Sequence, residues 1–208
     1  MSAEQNDIVV WGCNTPRTFR VYWALHYLGV DYEARPIKPR TNDMERTDFL
    51  EISPGKKIPA FEHGPLRLVE SGAIVFYLYQ KYSKLLPEEQ DTAAMMRWSF
   101  FSLMELDATA LYVMRRHYGL PEIYGEAPVA VQSAIDYFSR QITVVDEHLS
   151  DGRAYLVGTA LSPADIFLVS CCDWAVAYEL ALPTYVEAYL NHLHQLKSYQ
   201  QARKVNYV

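Results

Sequence analysis

The sequence has little cysteine: Cys13, Cys171 and Cys172 are its three thiols among 208 residues. An odd number of cysteines without Cys-x-x-Cys spacing predicts neither a disulfide framework nor a zinc site, and it suits a reducing compartment. Cys171 and Cys172 are adjacent, and adjacent cysteines in a helix cannot bridge without large strain, so we expect them in a core. The histidines show no paired metal-ligand spacing, so we predict no metal.

A basic run and a long uninterrupted apolar run are also missing. Nineteen Lys and Arg residues stand against 25 Asp and Glu residues, a net charge of −6, which argues against nucleic acid or an anionic membrane as a partner. The most apolar segment, residues 166–182, contains Asp173 and Glu179, so it is predicted to be a buried helix and not a membrane span. The first residues are acidic where a signal peptide needs a basic start, so we expect a cytosolic chain with a small partner.

Half of the residues are hydrophobic, which is enough for a sizeable core. The chain opens with a strand–helix–strand pattern. Residues 8–12 form a short β-branched run that predicts a buried strand. Thr15 and Pro16 are suited to cap and open a helix that ends at Gly29. Residues 32–37 are predicted to be the second strand, and a βαβ unit of this kind has parallel strands.

The pattern continues as an α/β layer. A helix is predicted over residues 42–52. A hairpin follows, with strands at residues 60–62 and 66–69. Ser71 is predicted to be the N-cap of a helix over residues 71–84. This element order is typical of a thioredoxin-like fold.

The second half of the chain is predicted to be helical. Residues 85–90 are a short polar stretch with a proline, and we interpret them as an interdomain linker. Ser162 and Asp165 have the spacing of a capping box, so Asp165 is predicted to be structural. The predicted domains are residues 1–84, thioredoxin-like, and residues 91–208, an all-α bundle with helices over residues 91–118, 128–149, 163–182 and 183–197.

Residues 53–71 carry the features of a pocket for a small peptide. The Ile58-Pro59 bond enters a strand with one backbone donor missing, so it belongs on a sheet edge or in a bend, where an extended peptide could pair with the backbone. The Ser71 hydroxyl and the first N–H groups of its helix can hold a carboxylate, and Glu70 can take an ammonium. The γ-glutamyl end of glutathione has both groups on one carbon.

These motifs resemble the cytosolic glutathione transferases. The matching residues are Lys57-Ile58-Pro59-Ala60, Glu70-Ser71, the βαβ opening at residues 8–37 and the run Ser162-Pro163-Ala164-Asp165-Ile166. Together they span nearly the whole chain in the family's order. The resemblance implies a serine/threonine-type member, similar to the phi, zeta, theta and nu classes, that forms a homodimer and uses glutathione as co-substrate.

The resemblance places Thr15 on the catalytic serine of the phi and zeta classes when Arg20-Val21 is aligned with their matching pair. A free cysteine thiol has a pKa of about 8.5. A hydroxyl donor together with the helix N-terminus would favour the thiolate, and lowering the pKa by two units takes only about 2.7 kcal/mol. Alternatively, Thr15 does no more than cap the helix.

Two neighbours compete with Thr15 for the sulfur. Cys13 lies close to a helix N-terminus, where a thiol could have a lowered pKa and form a mixed disulfide with glutathione, or it could simply fill the turn. Asn14 could donate an amide hydrogen to the same sulfur.

The resemblance also assigns the contacts to the peptide. Glu70 and Ser71 would hold the γ-glutamyl group, the backbone of Ile58 beside Pro59 would pair with the cysteinyl part, and Lys57 would meet the glycyl carboxylate. Lys56 is a weaker candidate for that carboxylate. A solvated pair of surface lysines is the alternative interpretation.

The second substrate would be met by the first long helix of the second domain, with Tyr112, Arg115 and Arg116 on its wall and Trp11 opposite. Such residues also commonly fill an interface or an exposed face. The expected function is a glutathione transferase that attacks a small hydrophobic electrophile. The alternatives are a glutathione-dependent disulfide oxidoreductase and a binding module that has kept the fold without turnover.

Overall fold

The computed structural model describes residues 7–83 and 89–208. The chain divides into two compact units, Met1–Leu86 with Gln195–Val208, and Pro87–His194. The predicted linker falls largely on residues 84–88, which lie outside the described residues. Of the helices described, none combines the length and the apolar character needed to cross a bilayer.

The first unit contains a four-stranded mixed sheet in the order β2-β1-β3-β4. The strands are β1 Ile8–Trp11, β2 Glu33–Arg35, β3 Ala60–His63 and β4 Leu66–Val69. β1 pairs parallel with β2 and antiparallel with β3, and β3 pairs antiparallel with β4. The predicted βαβ unit and the hairpin are therefore confirmed, and the topology is that of a thioredoxin-like domain. β2 is shorter than predicted.

Helix α1, Pro16–Leu28, connects the parallel strands as the sequence predicts. Thr15 caps it by accepting a hydrogen bond from the N–H of Thr18, Pro16 occupies the first helical position, and Gly29 ends it in a left-handed conformation. Helix α3, Ser71–Tyr82, follows β4 and packs against α1. Its N-cap is Glu70, one residue before the predicted Ser71, and the Glu70 side chain does not cap it.

The helix predicted over residues 42–52 is wrong. A 3-10 turn, Asn42–Glu45, is followed by the short helix α2, Thr47–Leu50. Arg46 separates them because its backbone is extended, with φ −62° and ψ 134°. Phe49 is fully buried there and joins a core cluster formed with Trp11, Ile37, Ile52 and Ala60. Burial of one aromatic ring under the sheet therefore takes precedence over a continuous helix.

The second unit is helical, as predicted. Its helices are α4 Glu89–Phe101, a π-helical segment Ser102–Leu111, α5 Tyr112–His117, α6 Pro121–Tyr124, α7 Pro128–Leu149, α8 Pro163–Ala177 and α9 Thr184–His194. The run from α4 to α5 matches the predicted long helix, but its ten-residue π-helical middle was not predicted. Helix α8 is buried on most sides and starts with the predicted capping box of Ser162 and Asp165. Cys171 and Cys172 are buried in it, as expected.

The last helix belongs with the first unit. Residues 183–197 were predicted as one helix, but α9 ends at His194 and a separate helix α10, Lys197–Asn206, follows. α10 packs on α1, where Tyr199 meets the rings of Phe19 and Trp23 at 5.2 and 5.1 Å. The predicted helical domain, residues 91–208, includes this segment, because its docking partner lies about 180 residues earlier in the chain and leaves no local signal.

Candidate functional site

Strand register brings three separate segments to one edge of the sheet. Trp11 pairs with Ala60, and Ala60 pairs with Val69, so these residues form one row across β1, β3 and β4. The row lies at one edge of the sheet, where β1 and β4 end and β3 begins. Three segments therefore meet there: the turn that leads to Thr15, the Ile58-Pro59 bond, and the start of α3 at Glu70-Ser71.

Gly12 and Ile58 are in close contact at this edge. A Cβ placed on Gly12 would lie 2.7 Å from the Ile58 Cβ, and the Gly12 φ of +118° is a conformation that other residues rarely adopt. The Tyr22 hydroxyl donates a 2.9 Å hydrogen bond to the Gly12 carbonyl from a buried position. The Ile58-Pro59 bond is cis. The backbone N–H and carbonyl of Ile58 form no hydrogen bond with any described residue, so they are free to pair with an added chain.

The Thr15 hydroxyl is half-buried at the N-terminus of α1. It accepts a 3.0 Å hydrogen bond from the Thr18 N–H, and it lies 2.7 Å from the Thr18 hydroxyl, with either oxygen able to be the donor. When Thr18 donates, Thr15 accepts two hydrogen bonds and its own proton is available to a ligand. The capping role and a catalytic role are therefore compatible in one side chain.

The two rivals of Thr15 are engaged elsewhere. Cys13 is fully buried, its thiol lies 3.6 Å from the carbonyl oxygen of Ile37, and burial raises the pKa of the Cys13 thiol. A buried thiol with a raised pKa is a poor nucleophile. The Asn14 amide donates a 2.8 Å hydrogen bond to the Val208 carbonyl. Asn14 has a φ of 58°, a left-handed conformation that asparagine tolerates better than most residues.

The N-terminus of α3 is open to an anion. Glu70 is exposed with φ 71° and ψ 113°, a strained conformation for a residue with a side chain, and such strain gathers at binding sites. No side chain caps this helix at its described N-cap residue, so its first N–H groups remain available. Ser71 is 5% exposed, and its hydroxyl accepts a 3.3 Å hydrogen bond from the guanidinium of Arg20, which is 1% exposed.

The two candidate lysines differ in their partners. The Lys56 ammonium forms an ion pair with Glu45 at 2.7 Å. The exposed Lys57 ammonium has no partner among the described residues. The buried Ser53 hydroxyl accepts from the Lys57 N–H at 3.0 Å and donates to the Lys57 carbonyl at 2.8 Å, which shapes the loop before Ile58. Lys57 is therefore the better candidate for a carboxylate ligand.

The residues expected on the second-substrate wall have different surroundings. Trp11 is 1% exposed, lies in the core cluster and donates from its indole N–H to Glu62 at 2.8 Å, so the structure contradicts its assignment to a substrate wall. Arg115 lies over the Tyr112 ring, and Arg116 lies over the Tyr124 ring, at 5.5 and 4.7 Å from the ring centroids. Tyr112 and Arg115 are half-buried and Arg116 is exposed, all in the second unit.

Sequence reasoning missed three residues that support the site: Arg20, Thr18 and Ser53. Each is buried and polar. Thr18 could have been found, because it lies three residues after the cap in the first turn of α1. The partner of Arg20 lies 51 residues later in the chain, so no local pattern signals it. In the parts of the chain that the structure describes, no His, Cys, Asp or Glu side chains form a metal-binding group.

Comparison with known proteins finds matches to one protein family in both units. Residues 7–80 match the family "Glutathione S-transferase, N-terminal domain" and residues 91–199 match "Glutathione S-transferase, C-terminal domain". The Glutathione S-transferase-like protein gedE of Aspergillus terreus is 31% identical over 189 residues, covering 78% of this chain and 76% of that protein. The Disulfide-bond oxidoreductase YghU of Escherichia coli is 30% identical over 152 residues, covering 69% of this chain but only 50% of that protein.

A solved structure supports the same assignment. A glutathione transferase family member from Pseudomonas fluorescens Pf-5, crystallised with two glutathione molecules bound, superposes with a TM-score of 0.82 at 26% identity, covering 99% of this chain and 95% of that one. Both domain matches lie in order along this chain, and the observed α/β and all-α architecture agrees with them. The chain therefore belongs to the glutathione S-transferase family.

Proposed function

We propose that this protein is a glutathione-dependent transferase whose first unit binds glutathione and ionises its thiol at Thr15. The observation that carries this proposal is the row Trp11, Ala60 and Val69, because it gathers the three ligand-binding segments at one sheet edge. Each segment offers a different chemical group. Together these groups match the two carboxylates, the ammonium and the extended backbone of the tripeptide.

Binding would use groups at this sheet edge that can still accept or donate a hydrogen bond or pair with a charge. The open N-terminus of α3 and the Ser71 hydroxyl hold the γ-glutamyl carboxylate, and Glu70 takes its ammonium. The backbone of Ile58, preceding Pro59, pairs with the cysteinyl residue as an added strand does. Lys57 meets the glycyl carboxylate. Arg20 holds the Ser71 hydroxyl from behind and adds positive charge beneath the anion.

Thiol activation would depend on the hydrogen bonds of Thr15. Its oxygen accepts from the N–H of Thr18, and when the Thr18 hydroxyl also donates to it, the Thr15 proton is left for the sulfur of glutathione. A donated hydrogen bond and the positive end of α1 both stabilise the thiolate over the thiol. Each pKa unit of lowering corresponds to about 1.4 kcal/mol, and a single charge-assisted hydrogen bond is worth about 1.5–3 kcal/mol.

The thiolate would then attack an electrophilic carbon of the second substrate. A carbon–sulfur bond forms, the leaving group departs with its bonding electron pair, and the thiol proton goes to solvent. Tyr112, Arg115 and Arg116 remain candidates for contacts to that substrate.

Replacing Thr15 tests this function. Thr15→Ala removes the hydroxyl and should raise the pKa of the bound thiol by about one to two units, with a matching fall in kcat and little change in glutathione affinity. Thr15→Ser keeps the donor and should retain most of the activity. The measurements are the pH titration of thiolate absorbance in the bound complex and the conjugation rate with an aryl halide. Equal thiol pKa values in wild type and Thr15→Ala would remove Thr15 from the mechanism.

A second candidate activity is glutathione-dependent disulfide reduction, favoured by the similarity to the oxidoreductase YghU. The same thiolate would attack one sulfur of a disulfide, form a mixed disulfide and release the other sulfur as a thiolate. A second glutathione would then reduce the mixed disulfide, giving glutathione disulfide and the second thiolate. Turnover of a mixed disulfide without conjugation of aryl halides would establish this activity instead. Retention on immobilised glutathione with no thiolate signal would indicate a binding module.

A homodimer is proposed as the assembly. Met96, Phe100 and Met104 are 45%, 52% and 55% exposed at four-residue spacing along α4 and the π-helical segment, so they form an apolar stripe on one face. A second copy of this chain is the occupant that the family suggests. Phe100→Glu should convert a dimer to a monomer in sedimentation, whereas the exposed Val129→Glu should not. A wild type that sediments as a monomer at micromolar concentration would contradict the dimer.

A further inference from the structure

The segment Asn206–Val208 lies directly against the turn that carries Thr15. The Asn14 N–H donates to the Asn206 carbonyl at 2.7 Å, and the Asn206 side-chain amide donates to the Thr15 carbonyl at 3.1 Å. The Asn14 side-chain amide donates to the Val208 carbonyl at 2.8 Å. Three hydrogen bonds thus hold two residues of the turn, and the Asn206 side chain is fully buried among them.

These bonds act on the backbone that orients the Thr15 hydroxyl. Thr15 is extended, with φ −136° and ψ 150°, and its carbonyl also accepts from the Phe19 N–H at 3.1 Å as the first bond of α1. Asn14 before it is left-handed. The Asn14–Thr15 turn, with one left-handed and one extended residue, could adopt other backbone conformations. Each of them would point the Thr15 hydroxyl in another direction. Asn206 bonds at the start and at the end of this pair, so it selects one conformation.

Stability alone does not account for the amide of Asn206. Its side-chain oxygen is buried without a hydrogen-bond partner among the described residues. An unsatisfied buried acceptor is costly, and an apolar residue of the same shape would avoid that cost. The docking of α10 on α1 has other anchors, namely the ring contacts of Tyr199 and the bond from the Trp23 indole N–H to the Ser198 hydroxyl at 3.2 Å.

We propose that Asn206 is a positioning residue for the Thr15 hydroxyl, acting from the last helix by holding the Asn14–Thr15 turn through hydrogen bonds to its backbone. This inference rests on the proposed role of Thr15. It assigns the end of α10 a part in thiol activation.

The test replaces the amide by a side chain of similar size. Asn206→Leu removes the donor to the Thr15 carbonyl and keeps the backbone bond from Asn14. We expect the pKa of the bound glutathione thiol to rise and kcat to fall about tenfold. Small misplacements of a catalytic group can lower the reaction rate by up to about 100-fold. The KM for glutathione should stay within twofold. Gln201→Leu, at an exposed position of the same helix, is the matched control and should leave the thiol pKa, kcat and KM unchanged.

A double-mutant cycle with Thr15→Ala separates positioning from a general structural effect. Because Asn206 acts through Thr15, adding Asn206→Leu to Thr15→Ala should give little further loss of kcat. Additive losses, or an unchanged thiol pKa in Asn206→Leu, would overturn the inference. If Asn206→Leu does not fold, Asn206→Ala provides the same readout because it only deletes atoms. If the proposed role of Thr15 itself is wrong, the result is distinguishable, because Thr15→Ala alone would then leave the thiol pKa unchanged.

Discussion

Gly12 and Ile58 pack so closely that the sheet edge has no room for a methyl group between them. Gly12 follows the last residue of β1 and leads to the turn of Thr15, and Ile58 precedes the cis bond that leads into β3. The contact therefore sets the spacing between the thiol-activating turn and the peptide-pairing loop. A change at Gly12 is expected to move both.

Gly12→Ala is expected to destabilise the fold at this sheet edge. The added methyl would meet the Ile58 Cβ at 2.7 Å in a backbone with φ +118°, so we expect a loss of about 3 kcal/mol in the free energy of unfolding and weaker glutathione binding. Gly29→Ala is the matched control, because Gly29 also has a positive φ but nothing within 4 Å of a new Cβ. It should lose only about 1 kcal/mol. Equal losses in urea denaturation would show that the Ile58 contact is unimportant.

Arg20 supports the Ser71 hydroxyl from within the protein. Arg20→Met removes the donor and its charge while keeping the apolar stem, so the dissociation constant for glutathione should rise about tenfold, the equivalent of one charged hydrogen bond. Ser71→Ala removes the acceptor, and calorimetry on both single variants and the double variant measures their coupling. Independent, additive effects on binding would mean that Arg20 does not act through Ser71.

Lys57 and Lys56 should differ in their effect on binding. Lys57→Met should weaken glutathione binding about fivefold by removing a charge pair at an exposed site, whereas Lys56→Met should change it less than twofold, since that ammonium pairs with Glu45. Glutathione whose glycyl carboxylate is esterified provides the second half of the test. It should bind wild type and Lys57→Met equally. A Lys57→Met defect that persists with the ester would assign Lys57 another role.

Cys13 is predicted to be dispensable for catalysis. Burial disfavours its charged form and raises the pKa of the thiol, so its thiolate fraction at pH 7 lies below that of a free cysteine and increases only at higher pH. Cys13→Ala should retain conjugation and disulfide exchange within about twofold. Iodoacetamide at pH 7 should leave Cys13 unmodified in the folded protein, as mass spectrometry can check. Rapid labelling, or loss of exchange activity in the variant, would return Cys13 to the mechanism.

The buried Asp165 is predicted to be essential for stability. Its carboxylate accepts from the N–H groups of Leu156 and Ser162, from the Ser162 hydroxyl and from the Tyr189 hydroxyl, at 2.5–2.7 Å. Asp165→Asn would place an amide donor against these donors and should cost about 3 kcal/mol in thermal or urea unfolding. Asp136→Asn, at an exposed position, should stay within about 0.5 kcal/mol. A small effect at Asp165 would show that the network relaxes around the amide.

Local signals in the sequence were sufficient for much of the fold. Thr15, Pro16 and Gly29 bound α1 through capping and backbone preferences that act over a few residues. The hairpin and the capping box of α8 are equally local. The helix expected over residues 42–52 failed because burial of Phe49 is a tertiary requirement that residue preferences do not report. Trp11 was misplaced for a related reason, since an aromatic residue at a strand end suits either a core or a cleft.

By itself the sequence determined where most strands end and most helices start, because capping and turn preferences act over one or two turns of the chain. Only the tertiary structure decided how they are supported, since that support crosses large distances along the chain. Arg20 reaches Ser71 across 51 positions, and Asn206 reaches Thr15 across 191. Hydrogen bonds of this kind join residues that only the packed fold brings together, so no periodicity or capping signal in the sequence predicts them.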